Sequence, residues 1–183
     1  RANTKPYVKG VNFPSNMLYY KTLVCASELL EDSKLREKAK ELKEKIIKLS
    51  FNGEFFEDNV VRKKGILTRV NHVTEVCQYY AFECGVADKE TFKMLYKTLV
   101  EDFVPRKLAP EKYSYITRSN IIIGLCIRIK QALINGEYDR LLSEIKSIYS
   151  VMAEKTNTLW EHDRPKASCN HGIAAFAGVC VIK

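Results

Sequence analysis

With 183 residues, 46% hydrophobic and 28% charged, the chain is long enough for one domain with a sizeable core and has ordinary globular composition. No apolar run approaches the ~20 residues of a membrane-spanning helix, so no membrane partner is expected. The net charge of +8 raises nucleic-acid binding, but from Lys34 to Lys45 the bases are interleaved with acids. Arg62-Lys63-Lys64 is the only basic run of three, and no basic stripe carries interleaved aromatics, so no nucleic-acid partner is expected.

Arg1-Ala2-Asn3-Thr4-Lys5 has neither an initiator Met nor a following apolar stretch, which excludes a signal peptide there and fits a chain that begins inside a longer protein. Pro14 and Ser15 mark the start of a first helix to about Glu31, with Leu18, Val24, Cys25 and Leu29 apolar. Ser33 is the expected cap of a second helix, about Lys34 to Leu49. Its Leu35, Ala39, Leu42, Ile46 and Leu49 are spaced four and three apart in one stripe. Helical pattern stops from Phe51 to Leu67, where Gly53 and Gly65 punctuate an irregular excursion or short hairpin. A third helix is expected from about Val73 to Cys84, closed by Gly85, and a fourth from an Asp88 cap to about Asp102.

Pro105 and Pro110 then mark a longer loop. A fifth helix, about Ser119 to Ile134, is apolar almost all round at its start (Ile121, Ile122, Ile123, Leu125, Ile127) and should be deeply buried; Asn135-Gly136 closes it. A sixth helix spans about Tyr138 to Glu154. Asn170 to Val181 is small and apolar, and reads as a seventh buried helix or, at its β-branched end, as extended chain.

Odd-numbered helices carry few charges and even-numbered ones have charged faces, so the expected fold is all-α. It consists of αα-hairpins in an inner and an outer layer, either an open solenoid or a closed toroid. No fixed-period signature repeats. None of the six cysteines forms a CxxC pair and most lie in apolar helical stretches. They read as small buried hydrophobes in a reducing, cytoplasmic compartment.

Three groups of residues could carry chemistry. Glu75 and Gln78 share a face at the start of the third helix, where N-terminal capping is the plain alternative. Asn120 precedes the fifth helix, with Tyr113, Tyr115 and Arg118 in the loop before it. The densest feature is Thr156 to His171, which holds the only Trp, Glu161 beside it, His162, Asp163 and Arg164. A Trp offers a broad apolar face to a sugar, and a neighbouring carboxylate can serve as general acid or base. The alternative is a Trp that anchors the loop to the core, with Glu161 and Arg164 as a surface ion pair. His162, Asp163, Cys169 and His171 could also be metal ligands, but they match no recognised ligand spacing; no metal or other cofactor is expected.

Thr158-Leu159-Trp160-Glu161-His162 followed by Ser168-Cys169-Asn170-His171-Gly172 resembles the end of the catalytic domain of α-L-rhamnosidases, with its T-x-W-E and S-x-N-H segments. Pro14 to Tyr20, Phe55-Phe56-Glu57-Asp58 and the Thr74-Glu75-x-x-Gln78-Tyr79-Tyr80-Ala81 stretch resemble, in order, an inner-helix start, a turn and the next inner helix of that family. The resemblance implies that residues 1–183 form one partial domain, about half of an (α/α)6 toroid in the C-terminal part of an inverting glycosidase. It implies Glu161 as the general base and Trp160 and His171 as sugar contacts, joined in the expected substrate set by His162, Glu75, Gln78 and Asn120. The family's general acid lies in an upstream segment that this chain does not hold. The implied partners are a carbohydrate and the N-terminal remainder of a parent protein, with self-association through exposed inner-helix surface. A non-catalytic helical module that binds carbohydrate or protein is the competing expectation.

Overall fold

In a computed structural model of the chain, residues 10–120, 122–165 and 167–182 are described. The features read at Arg1–Lys5 and at Ile121 lie outside them. The helices are α1 (Phe13–Leu29), α2 (Ser33–Ser50), α3 (Glu75–Glu83), α4 (Lys93–Glu101), α5 (Ile122–Ile134), α6 (Tyr138–Thr156) and α7 (Phe176–Ile182). Single 3₁₀ turns stand at Glu111–Tyr113 and Gly172–Ala175.

The fold is mostly helical, and the expected excursion is a hairpin: β2 (Asn59–Lys63) pairs antiparallel with β3 (Ile66–Arg69). Its two-residue turn has positive φ at Lys64 (48°) and Gly65 (85°), the combination that matches the twist of the flanking strands. All-α needs correcting, because β1 (Gly10–Asn12) adds a third strand to this hairpin. Three residues are too few to show a period in sequence. Gly10 is required there by contact: a Cβ on it would stand 2.4 Å from the Val60 carbonyl oxygen.

Helix starts shift by small amounts, each for a capping reason. Asn12 caps α1, its Oδ1 accepting from Ser15 N at 2.9 Å, so Pro14 lies inside the first turn. Asp32 rather than Ser33 caps α2, accepting from Lys34 N at 2.7 Å and Leu35 N at 3.2 Å. Thr74 caps α3, because Val73 is engaged in a strand-like contact with Thr117. Asp88 caps only a turn, accepting from Glu90 N and Thr91 N, and α4 proper begins at Lys93. The seventh element starts as a 3₁₀ turn and becomes α7 only at Phe176.

Packing follows the odd–even alternation. α1 touches α3, α3 touches α5 and α5 touches α7, so the apolar helices stand in one row. α2 lies against α1, and α6 against α5, as hairpin partners. Two apolar clusters result. The first, between α1 and the loop after α4, is rich in aromatics: Phe55, Phe103 and Tyr113 meet at 5.4–6.3 Å between ring centroids. The second is mainly aliphatic, with Ile122, Leu125, Ile129, Ile148 and Met152 around Trp160.

A buried polar network joins the two clusters. Arg128, 1% exposed on α5, donates from Nε and Nη2 to the Glu144 carboxylate of α6 at 2.8 and 2.7 Å. Its Nη1 donates to Tyr79 on α3 at 3.0 Å and to the Leu99 carbonyl of α4 at 2.6 Å. Arg140 links Glu144 onward to Glu137. One guanidinium thus ties four helices, and every charge it meets is opposite in sign, as burial of charge demands.

Candidate functional site

The starts of α3, α5 and the α7 turn are linked by extended chain. Thr117 N donates to Val73 O at 3.1 Å and Glu75 N to Thr117 O at 2.9 Å. Asn120 and Ile122 meet the 159–163 segment: Asp163 N donates to Asn120 O at 3.0 Å and Ile122 N to Glu161 O at 2.8 Å. On its other side that segment is held by Glu161 N to Ser168 O and His171 N to Leu159 O, both 2.9 Å. Glu75, Asn120, Glu161, Asp163 and His171 therefore belong to one hydrogen-bonded seam.

Extended chain alternates its side chains. Trp160 points inward: it is 1% exposed, packed in the second cluster, with Nε1 donating to Thr156 Oγ1 at 2.7 Å. This corrects its reading as a sugar platform. It is the anchor, and the indole N–H is satisfied within the loop, as a buried Trp requires. Glu161, next to it, is half-buried, and its carboxylate makes no hydrogen bond or ion pair among the described residues. The expected Glu161–Arg164 pair is absent; Arg164 instead approaches Asp163 at 3.8 Å.

His162 and His171 are half-buried. His171 Nδ1 is buried without a hydrogen-bond partner among the described residues. Asn120 is exposed; its carbonyl holds Asp163, and its side-chain amide has no partner among the described residues.

Gln78 needs correcting. It is fully buried, its Nε2 donating to Phe56 O at 2.8 Å and Thr74 O at 2.9 Å while its Oε1 accepts from Phe56 N at 2.8 Å. Every hydrogen-bonding direction of its amide but one lone pair is filled internally, so it ties the Phe56 turn to α3 and presents nothing to a ligand.

Glu75 is 2% exposed. One carboxylate oxygen accepts from the Tyr79 hydroxyl, the other from Arg118 Nε and Ser119 N, each at 2.7 Å. Burial pushes the Tyr79 phenol far up, so it stays protonated as a donor. Arg118 also stacks over the Phe103 ring at 5.1 Å. A small cavity of about 30 Å³, room for about one water, is lined by Glu75, Arg118, Ser119 and Asp163. Larger depressions of about 410 and 550 Å³ lie against α4 and include no member of the seam.

Among the described residues no three His, Cys, Asp or Glu side chains converge as metal ligands would. Nor is any helix long and apolar enough to cross a membrane. Sequence reasoning missed Arg128 and Glu144; the available signal was an Arg between Ile127 and Ile129 on the apolar half of α5, since such a charge needs a buried partner.

No protein-family model matches the chain, and no curated protein does. Among solved structures it is similar to a GH78 family rhamnosidase of Bacillus sp. GL1, with a TM-score of 0.71 and 18% sequence identity over 93% of this chain. The chain spans 19% of that protein's length. What the likeness establishes is a rhamnosidase-like fold.

Proposed function

We propose that the chain is the C-terminal part of the catalytic domain of an inverting, α-L-rhamnosidase-like glycosidase, about half of an (α/α)6 toroid, with Glu161 as general base. The observation that carries this reading is the state of Glu161. Its backbone is fixed on both sides, by Ile122 and Ser168, while its half-buried carboxylate has no hydrogen-bond or ion-pair partner among the described residues. A general base needs a fixed position and a lone pair open to water.

In the proposed reaction Glu161 takes a proton from a water as that water attacks the anomeric carbon. A second carboxyl, supplied by the rest of the parent, protonates the departing oxygen from the far side. Inversion requires the two groups ~6.5–9.5 Å apart. His171, His162 and Asn120 border the sugar, and Trp160 fixes the base from beneath. The isolated chain, having no acid partner, is expected to forfeit the ~10²–10⁴-fold that proton transfer contributes.

The test is hydrolysis of an aryl α-L-rhamnoside by the isolated chain and by the longer protein this reading implies. Hydrolysis by the longer protein with inverted product, and none by the chain, is the expected outcome. Robust turnover by the isolated chain contradicts the missing-acid part of the reading. A second reading, a non-catalytic module that binds a sugar or protein, draws on the burial of Trp160 and Gln78, which reduces the set available to touch a substrate. It predicts ligand binding by the isolated chain and no hydrolysis by any longer form.

A further inference from the structure

Glu75 is a buried carboxylate with three donors, and two of those donors belong to residues 118 and 119. Those residues open the run of chain whose next members hold the candidate base: Asn120 O accepts from Asp163 N, and Ile122 N donates to Glu161 O. Ile122 is only three positions on from Ser119. The run has few other ties on the side facing α3 beyond the Thr117 contacts with Val73 and Glu75.

Glu75 is itself held from behind. Tyr79 donates to its other oxygen, Arg128 donates to Tyr79 at 3.0 Å, and Glu144 fixes Arg128 through two bonds at 2.8 and 2.7 Å. The series runs from Glu144 through Arg128, Tyr79 and Glu75 to Ser119, and its neighbours Asn120 and Ile122 bond to the segment that carries Glu161. Each side chain in it is a rigid or bidentate element lodged in packed core, so displacement at one end is opposed at the other.

We infer that Glu75 is a positioning residue for Glu161: its carboxylate anchors the 118–122 segment to the buried ion network, and that segment sets where the base stands. This replaces a direct substrate contact for Glu75. The inference rests on Glu161 as the working carboxylate, but its main test needs no activity.

That test is residue-resolved amide hydrogen exchange of this chain, wild type against Glu75→Gln. The variant keeps the size of the side chain but removes the charge and turns one acceptor into a donor facing Ser119 N–H or Tyr79 O–H. Protection of the Ser119, Ile122 and Asp163 amides is expected to fall about tenfold or more, while amides of α2 and of the β2–β3 hairpin stay within about twofold, because local opening exposes only the loosened unit. Unchanged protection at Ile122 and Asp163 overturns the inference. So does an equal loss across α2 and the hairpin, which is what a merely structural role would produce.

If Glu75→Gln does not fold, Arg118→Gln removes a partly exposed partner and is expected to give a smaller loss, about threefold, at the same amides; no loss there, or an equal loss everywhere, again overturns it. In an active longer protein, Glu75→Gln is expected to lower kcat about tenfold with KM within about twofold, the signature of a misplaced catalytic group. If no longer form hydrolyses a glycoside, the exchange result stands and only the reading of the reaction fails.

Discussion

Two carboxylates stand on the same hydrogen-bonded seam and are treated in opposite ways. Glu75, at the start of α3, is buried with a donor on every side; Glu161, further along the seam, is half-buried with none among the described residues. The first arrangement is what stability requires of a buried charge, since an unpaired one costs several kcal/mol. The second has no structural benefit, and such residues are where function is sought. The contrast therefore separates a carboxylate that holds the fold from one that is kept available.

The comparison breaks most visibly if the network behind Glu75 is cut. Arg128→Met removes a guanidinium that binds Glu144, Tyr79 and Leu99 O, and leaves Glu144 with only Arg140. A loss of about 3–5 kcal/mol in urea unfolding is expected, the usual cost of stranding one half of a buried pair. A loss below about 1 kcal/mol would mean that the network tolerates a gap and that Glu75 is less firmly held than described.

A smaller effect is expected where the seam meets the second cluster. Trp160→Phe leaves a void and removes the indole donor of Thr156 Oγ1, which keeps Met152 O and Thr158 Oγ1, at a cost of about 1–2 kcal/mol. No change would return Trp160 to the role of an exposed platform. Smaller still is Glu161→Gln. Because its carboxylate has no partner among the described residues, the unfolding midpoint should move by no more than about 0.5 kcal/mol equivalent. A large destabilisation would place Glu161 in the same class as Glu75.

Glu83 supplies an intermediate case at the far end of α3. Burial alone would raise its carboxyl, but Lys130 at 2.5 Å and Lys21 at 2.8 Å outweigh that and hold it below its ordinary 4.5. A lowered folded value stabilises the fold at pH above 4.5, and that contribution is lost as pH falls through the folded value. Wild type and Glu83→Gln should therefore differ in urea midpoint at pH 6 and converge toward pH 3; a gap that stays constant with pH would assign the effect to packing.

Much of the fold was legible in the chain because it rests on local chemistry. Helical spacing located all seven helices, and Gly85 and Gly136, both at positive φ, closed the two expected of them. The hairpin was visible in Gly65 and its neighbours. What was not legible depends on distant partners. β1 exists because Val60 and Val61 are there to pair with it; the first helix starts from an Asn12 cap ahead of Pro14 and Ser15, and the second helix's cap moves by one residue, from Ser33 to Asp32. At the site, the sequence marked Trp160, Glu161 and His171 as a group but not which way each faces. Glu75 and Gln78 could equally have been ligands or ties, since the donors and acceptors that decide it lie 22 to 44 residues away.

The central claim is that Glu161 is held in place in order to work as a base. The most direct measurement is kcat for aryl α-L-rhamnoside hydrolysis by the longer protein, wild type against Glu161→Gln. A fall of about 10²-fold or more, with the unfolding midpoint unchanged, is the predicted result; near-normal kcat in a folded Glu161→Gln protein would contradict it.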